Sequence, residues 1–214
     1  MKEIRKYEFT GGIMNWCGHI LHRIIRISDG LIGGWIESED NLSHDGECFV
    51  CDNAKVYGNA KVYYNAVVSG NAVVCDDAIV SDNAEVYDNA EVSGFAEISS
   101  DAEVYDKAKV SGNAVVTDEA IVSGNAKVYG YARVFGISEV CGNAVVSVNA
   151  SVCDNATVYG NAEIYDNAKV YDYTIVSGNA KVYGYAEVRD YAWVRGEAKI
   201  YGNAEVCGDT IIDA

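Results

Sequence analysis

The 214-residue sequence contains no proline, only three histidines and half as many basic as acidic residues. Its 16 Lys and Arg against 32 Asp and Glu give a net charge of −16. This charge argues against general nucleic-acid binding, because phosphate affinity depends on accumulated basic side chains. No apolar run approaches the roughly 20 residues of a membrane span, and none follows the N-terminus as in a secretory signal. Seven scattered cysteines suit a reducing compartment, so we predict a cytoplasmic protein with no membrane partner.

A six-residue repeat dominates what is present. From Val50 to Ile212 every sixth residue is Val or Ile, and four residues after each comes a small residue, nearly always Ala. The position two residues after the aliphatic residue is Gly 14 times and Asp 10 times in 27 repeats. A period of six excludes an amphipathic helix, whose faces recur every 3.6 residues. Each hexad therefore predicts a short strand followed by a corner, where Gly or Asp tolerates positive φ.

The repeat resembles the hexapeptide-repeat family of left-handed parallel β-helices. The resemblance implies three hexads per coil, so the 27 hexads would form about nine coils over residues 49–214. Residues 1–48 break the register and are predicted to form a small N-terminal β-hairpin cap, because the open strand edge of a solenoid needs covering. The predicted fold is all-β, with a cap at 1–48 and a β-helix at 49–214.

Within the cap, we predict strands at Tyr7–Phe9 and Ile20–Ile27 around a turn at Gly11–Gly12, and a second turn at 28–30. The residues expected to plug the first coil are large and apolar: Phe9, Trp16, Trp35 and Leu42. The stretch from Gly33–Gly34–Trp35 to Asn41–Leu42–Ser43, followed by Asn-Ala-x-Val hexads, resembles uncharacterised YdcK-type bacterial proteins and related phage-encoded ones. That resemblance implies no settled activity.

Catalytic candidates are few. Known enzymes of the hexapeptide-repeat family include acyltransferases, whose histidine-containing sites lie between subunits. Here His19, His22 and His44 all precede the regular repeats, and no insertion interrupts residues 50–212. His44 lies nearest to a coil and is the candidate general base. No cofactor is predicted.

Aspartates offer one candidate metal site. Asp154, Asp172 and Asp190 are 18 residues apart, so they lie on successive coils about 5 Å apart along one corner. Neighbouring carboxylates can recruit a cation such as Ca²⁺. Corner chemistry is the favoured interpretation, because Gly and Asp interchange at this position throughout.

Aromatic and basic residues mark the C-terminal coils. Two groups are candidates for ligand binding: Arg189, Tyr191, Trp193 and Arg195 beside one edge, and Lys181, Tyr183, Lys199 and Tyr201 on another face, where Tyr165 continues the tyrosine column. Aromatic rings with Arg can stack a base or hold a phosphate. The same residue types anchor protein interfaces, and tyrosines also pack in ladders across strands.

One face carries an apolar stripe. Its outward positions include Val67, Ile121, Ile175, Trp193 and Ile211, interleaved with Glu85, Glu103 and Glu139. Grouped exposed apolar residues mark interfaces, so we predict a homo-oligomer, dimer or trimer, associating through the C-terminal coils, either laterally or end to end. The predicted function is a non-catalytic scaffold or binding protein that self-associates. The alternatives are an acyltransferase-like enzyme with an inter-subunit site, and sequestration of a small anionic or nucleotide ligand in a phage anti-defence role.

Overall fold

The computed structural model describes residues 5–214, which form β-strands joined by turns, with one short 3₁₀ turn at Glu39–Asn41. Short strands recur every six residues along the repeat, and each pairs in parallel with the strand 18 residues further on. Three parallel sheets wrap one shaft, which confirms the predicted parallel β-helix. No helix within this range has the length and apolar character that a bilayer crossing requires.

Each sheet forms one side of the shaft. Sheet 1 contains Ile32–Ile36, Lys55–Val56, Val73–Val74, Glu91–Val92, Lys109–Val110, Lys127–Val128, Val145–Val146, Glu163–Ile164, Lys181–Val182 and Lys199–Ile200. Sheet 2 contains Lys61–Val62, Ile79–Val80, Glu97–Ile98, Val115–Val116, Arg133–Val134, Ser151–Val152, Lys169–Val170, Glu187–Val188 and Glu205–Val206. Sheet 3 contains Phe49–Val50, Val67–Val68, Glu85–Val86, Glu103–Val104, Ile121–Val122, Glu139–Val140, Thr157–Val158, Ile175–Val176, Trp193–Arg195 and Ile211–Asp213.

An antiparallel hairpin of Tyr7–Trp16 and His19–Arg26 extends sheet 1. The turn predicted at Gly11–Gly12 is wrong: this pair lies within the first strand, where the register shifts, and the chain reverses at Cys17–Gly18. These two residues have φ of 50° and 91°. Positive φ at both positions is what a type I′ turn needs, and the twist of such a turn matches that of the strands. The turn predicted at 28–30 is confirmed.

The strand Ile32–Ile36 joins the hairpin to the shaft, because it pairs with the hairpin on one side and in parallel with Lys55–Val56 on the other. Gly33 and Gly34 allow this close approach. A Cβ on Gly33 would come within 2.7 Å of the Val50 carbonyl oxygen, and one on Gly34 within 2.6 Å of the Val50 side chain. The paired glycines therefore let the cap lie directly on the first coil.

The aliphatic residue and the Ala of each hexad fill the interior, and nearly all of them are fully buried. Ser138 and Thr174 replace Ala at two buried positions. The Ser138 hydroxyl donates to the Phe135 carbonyl at 2.8 Å, and the Thr174 hydroxyl to the Tyr171 carbonyl at 2.7 Å. Each hydroxyl is thus satisfied by its own corner, which makes these exceptions to the repeat compatible with a dry core.

The cap closes the first coil with fully buried side chains: Tyr7, Leu21, Ile24 and Leu42. Of the predicted plug residues, Leu42 is confirmed, Phe9 is exposed, and Trp16 and Trp35 are half-buried. Each of these two indole rings lies beneath a Lys or Arg side chain. Tyr7 can enter the core because its hydroxyl donates to the Leu42 carbonyl at 2.8 Å.

Candidate functional site

The corners of the shaft have one backbone conformation. All 27 positions that follow the repeat's aliphatic residue by two have positive φ, between 54° and 77°. Gly or Asp fills 24 of them, and the exceptions are Tyr64, Ser100 and Val148. The predicted corner chemistry is therefore confirmed, and Asp appears where the left-handed region tolerates a short polar side chain.

Corner aspartates bond to the backbone of the next coil. The Asp154 carboxylate accepts from the Asp172 N–H at 3.4 Å, Asp172 from the Asp190 N–H at 3.1 Å, and Asp190 from the Gly208 N–H at 2.9 Å. Six other corner aspartates make the same contact. Across residues 5–214, no group of three or more His, Cys, Asp or Glu side chains is arranged to hold a metal. These carboxylates accordingly stabilise the stacking of coils.

His44, the candidate base, lies in the cap. Its ring stacks on Tyr7 with 4.3 Å between centroids, and Nδ1 accepts from the Lys6 N–H at 3.2 Å. Nε2 is buried and has no hydrogen-bond partner within the described chain. Because Nδ1 acts as an acceptor, the neutral ring carries its proton on Nε2, and no lone pair is left to abstract a proton from a substrate.

The other two histidines make contacts that differ from those of His44. His19 Nδ1 is 2.9 Å from the Glu37 carboxylate, which also accepts from the Gly58 N–H at 2.7 Å. These two bonds, the one with His19 first, hold the pKa of Glu37 below its usual value. The His22 ring lies 5.1 Å from the Phe9 ring. The His19–Glu37–Gly58 contacts fasten the hairpin to the shaft.

The tyrosine column on sheet 1 is a closed stack. The Tyr165 and Tyr183 rings are 4.9 Å apart and nearly parallel, and the Tyr183 and Tyr201 rings are 5.5 Å apart. Parallel stacking covers the ring faces between neighbours, so ring faces without a tyrosine neighbour remain only at the two ends, on Tyr165 and Tyr201. A ligand that needs an aromatic face therefore finds one only at an end of this column.

The predicted lysines of the same face differ in their contacts. Lys181 Nζ lies 2.9 Å from both oxygens of Glu163, and this hydrogen bond raises the pKa of Lys181. Lys199 is exposed. The charge of Lys181 is thus already compensated within the chain, which weakens this face as an anion site.

The second predicted group spans the edge between sheets 2 and 3. Arg189 lies 3.6 Å from the carboxylates of Asp190 and Glu205. Tyr191 is 63% exposed, and its ring stacks on Tyr173 at 5.2 Å. The edge therefore presents a pair of exposed aromatic rings, beside an arginine that already faces two carboxylates.

Trp193 and Arg195 form the sheet 3 part of this group. The Arg195 guanidinium lies 4.6 Å from the centre of the Trp193 ring, and its Nε is 2.9 Å from the Asp213 carboxylate. Trp193 is half-buried, whereas Ile211, one coil further, is 59% exposed. Arg195 is the single Lys or Arg among the described outward strand positions of sheet 3. This end of sheet 3 thus combines apolar surface with one cation on an otherwise acidic face.

Two cavities at the cap were not predicted from the sequence. One, of about 670 Å³, lies between the cap and sheet 2: it is lined by Ser38, Glu39, Asp40, Ser43, Gly58, Asn59, Lys61, Val62 and Tyr63. The other, of about 490 Å³, is lined by the basic residues Arg5, Lys6 and Arg26 together with His44. No local signal could have found them, because their walls come from segments 15 or more residues apart.

The two arginines of the basic cavity have carboxylate partners, and Glu47 also lines the cavity. Arg5 lies 3.1 Å from Glu39, and Arg26 lies 2.6 Å from Asp29. Lys6 Nζ donates to the Cys48 sulfur at 3.1 Å. An anion entering this cavity would have to displace an existing carboxylate contact at either arginine.

No protein-family model matches the chain, and no curated protein matches it significantly. Functional inference therefore depends on the fold and on the surface that it displays.

Proposed function

We propose that this chain is a non-catalytic scaffold that self-associates through its C-terminal coils in a reducing, cytoplasmic compartment. The shaft displays outward side chains at steps of about 4.8 Å, the spacing of paired strands. The main support for this proposal is one apolar region on sheet 3 of a chain with a net charge of −16. Ile175, Trp193 and Ile211 lie on adjacent strands there. Ile175 and Trp193 are half-buried there and Ile211 is 59% exposed, and apolar surface grouped in this way marks protein interfaces.

The neighbouring edge adds interface-type residues. Tyr173 and Tyr191 are 56% and 63% exposed, and Arg189 and Arg195 lie on either side of Tyr191 along the chain. Tyr, Trp and Arg are the residues that most often anchor protein interfaces. Burial of these side chains by another copy would remove apolar surface from water without requiring a pocket.

The contacts of the candidate catalytic groups support a non-catalytic role. An acyl transfer needs a base with a free lone pair near the reacting group, and the acceptor nitrogen of His44 is engaged by Lys6. The corner aspartates bond to the backbone of neighbouring coils. The surface is thus organised around packing contacts.

Light scattering across micromolar concentrations tests this proposal. The wild type is expected to assemble, and Ile175→Glu to shift it towards the monomer because a charge enters the apolar region. Val145→Glu is the matched control, since Val145 is an outward, half-buried aliphatic residue on sheet 1. A monomeric wild type contradicts self-association, and turnover of acetyl-CoA with amine acceptors contradicts the non-catalytic role.

A further inference from the structure

The outer face of sheet 3 is complementary to itself in one particular register. We propose that two copies pack through sheet 3 with their shafts antiparallel. The two-fold axis lies in the contact plane and runs along the strands, between Thr157–Val158 and Ile175–Val176. This inference rests on the proposed self-association and specifies its partner, a second copy of the chain, and the register of contact.

The register follows from the regular ladder. Strands of sheet 3 pair in parallel and in register, so outward residues form two straight columns along the shaft. The first column is Ile121, Glu139, Thr157, Ile175, Trp193 and Ile211, and the second is Ser123, Cys141, Tyr159, Ser177, Arg195 and Asp213. The two-fold axis places each strand opposite one that is equally far from it on the other side. The strand of Glu139 then faces that of Trp193, and the strand of Ile121 faces that of Ile211.

Charge favours this register. Arg195, the single cation of the face, contacts Asp213 of its own chain. In the dimer it would also lie opposite Cys141 of the second copy and diagonally across from its Glu139, and the symmetry makes this contact twice. Glu139 is half-buried and has no Lys or Arg partner within the described chain. A two-fold axis parallel to the shaft would instead place each strand opposite itself. The strands of Glu85, Glu103 and Glu139 would then face their own copies, which gathers like charges in the interface, and this is unfavourable.

Shape agrees with charge. Tyr159 is 38% exposed and would face Ser177, which is 5% exposed and therefore lies in a depression between larger neighbours. Ile211, 59% exposed, would face the half-buried Ile121. The protruding Tyr159 ring thus meets the depression at Ser177, and Ile211 packs against another apolar side chain. The dimer therefore covers Ile211, the most exposed of these side chains.

The area predicts a reversible dimer. Six strands at about 4.8 Å, each crossing a side of six residues at about 3.3 Å per residue, cover roughly 570 Å² per copy. The total of about 1,100 Å² lies at the lower end of specific protein interfaces. Dissociation should therefore be measurable at micromolar concentrations.

Mixing two charge variants tests the register. Arg195→Glu alone places two pairs of like charges in the dimer, and Glu139→Arg alone does the same, so each is expected to be monomeric by sedimentation velocity. An equimolar mixture makes two attractive pairs and is expected to form a heterodimer. Glu85→Arg is the control, because Glu85 lies three coils from Glu139 and outside the paired strands. This variant should dimerise like the wild type, and mixing it with Arg195→Glu should leave the Arg195→Glu chains monomeric.

The outcomes separate the two ideas. A wild-type dimer together with a mixture that stays monomeric overturns the antiparallel register and leaves self-association standing, whereas a monomeric wild type overturns both. Arg195→Glu also faces Asp213 within its own chain, so thermal unfolding must show that the variant folds. Arg195→Gln avoids that repulsion and is expected to weaken the dimer about tenfold by loss of the charge pair. An unchanged dissociation constant for this variant contradicts the register.

Discussion

Val148 is the corner residue least suited to its conformation, and replacing it tests the corner geometry. Its φ is 64°, it is 44% exposed, and it lies between Gly130 and Asp166 in one column of corners. A β-branched residue in the left-handed region is strained, and the cost of that region is about 1–2 kcal/mol for a residue with a Cβ. Asn tolerates the left-handed region because its short polar side chain can form a local hydrogen bond.

Val148→Asn should stabilise the shaft. Relief of the backbone strain contributes about 1–2 kcal/mol, and a hydrogen bond from the Asp166 N–H to the new amide adds about 0.5–1 kcal/mol. Loss of the half-buried Val surface costs about 1 kcal/mol. We expect a net gain of about 1 kcal/mol in the free energy of unfolding, measured by urea titration followed by circular dichroism. Val148→Ala separates the loss of Val surface from the relief of backbone strain, because Ala keeps the Cβ that disfavours the left-handed conformation.

Asp166→Val is the reverse experiment in the next coil. It introduces the strained residue and removes the bond that the Asp166 carboxylate accepts from the Gly184 N–H at 3.2 Å. The expected loss is about 1 kcal/mol, because the strain and the lost hydrogen bond are offset in part by about 1 kcal/mol from the added Val surface. If Val148→Asn is destabilising and Asp166→Val has no effect, the corners do not need the left-handed conformation and the reasoning fails.

Three further predictions concern the cap and the thiols. Glu37→Gln should cost about 1 kcal/mol at pH 7. The pKa of Glu37 is lowered, so its contribution is present above the ordinary carboxyl pKa, and the difference from wild type should shrink in urea titrations as pH falls through the lower folded value. Gly34→Ala should destabilise the cap by about 1–3 kcal/mol, because the new Cβ would lie 2.6 Å from Val50, and faster hydrogen exchange in His19–Arg26 would reveal it. Burial and the Asp154 carboxylate raise the pKa of Cys153 to about 12, so iodoacetamide at pH 8 should label the exposed Cys17 and Cys207 before Cys153. Asp154→Asn should speed labelling of Cys153; equal rates before and after the substitution would argue against the contact.

The shaft could be predicted from the sequence because its determinants are local. Val128 and Ala126 face inward for the same reason in every hexad, and a corner such as Gly130 needs positive φ whatever the neighbouring coil contains. The column of Ile175, Trp193 and Ile211 follows from the 18-residue spacing alone. Local rules therefore give both the core and the order of the outward residues.

The cap is different because its structure depends on contacts between distant segments. Gly11–Gly12 has the composition of a turn, yet the strand continues through it and reverses at Cys17–Gly18. Tyr7 enters the core because a carbonyl 35 residues later accepts its hydroxyl, and no pattern near Tyr7 reveals that partner. The ion pairs that compensate Arg195 and Lys181 likewise join residues on neighbouring coils.

Small-angle X-ray scattering of the wild type over a concentration series tests most directly whether shafts associate side by side through sheet 3. The account predicts a scattering mass that approaches twice the 23.1 kDa of the chain, with a longest dimension well short of two shafts placed end to end. A mass of one chain at every concentration, or a doubled length with the cross-section of a single shaft, would contradict it.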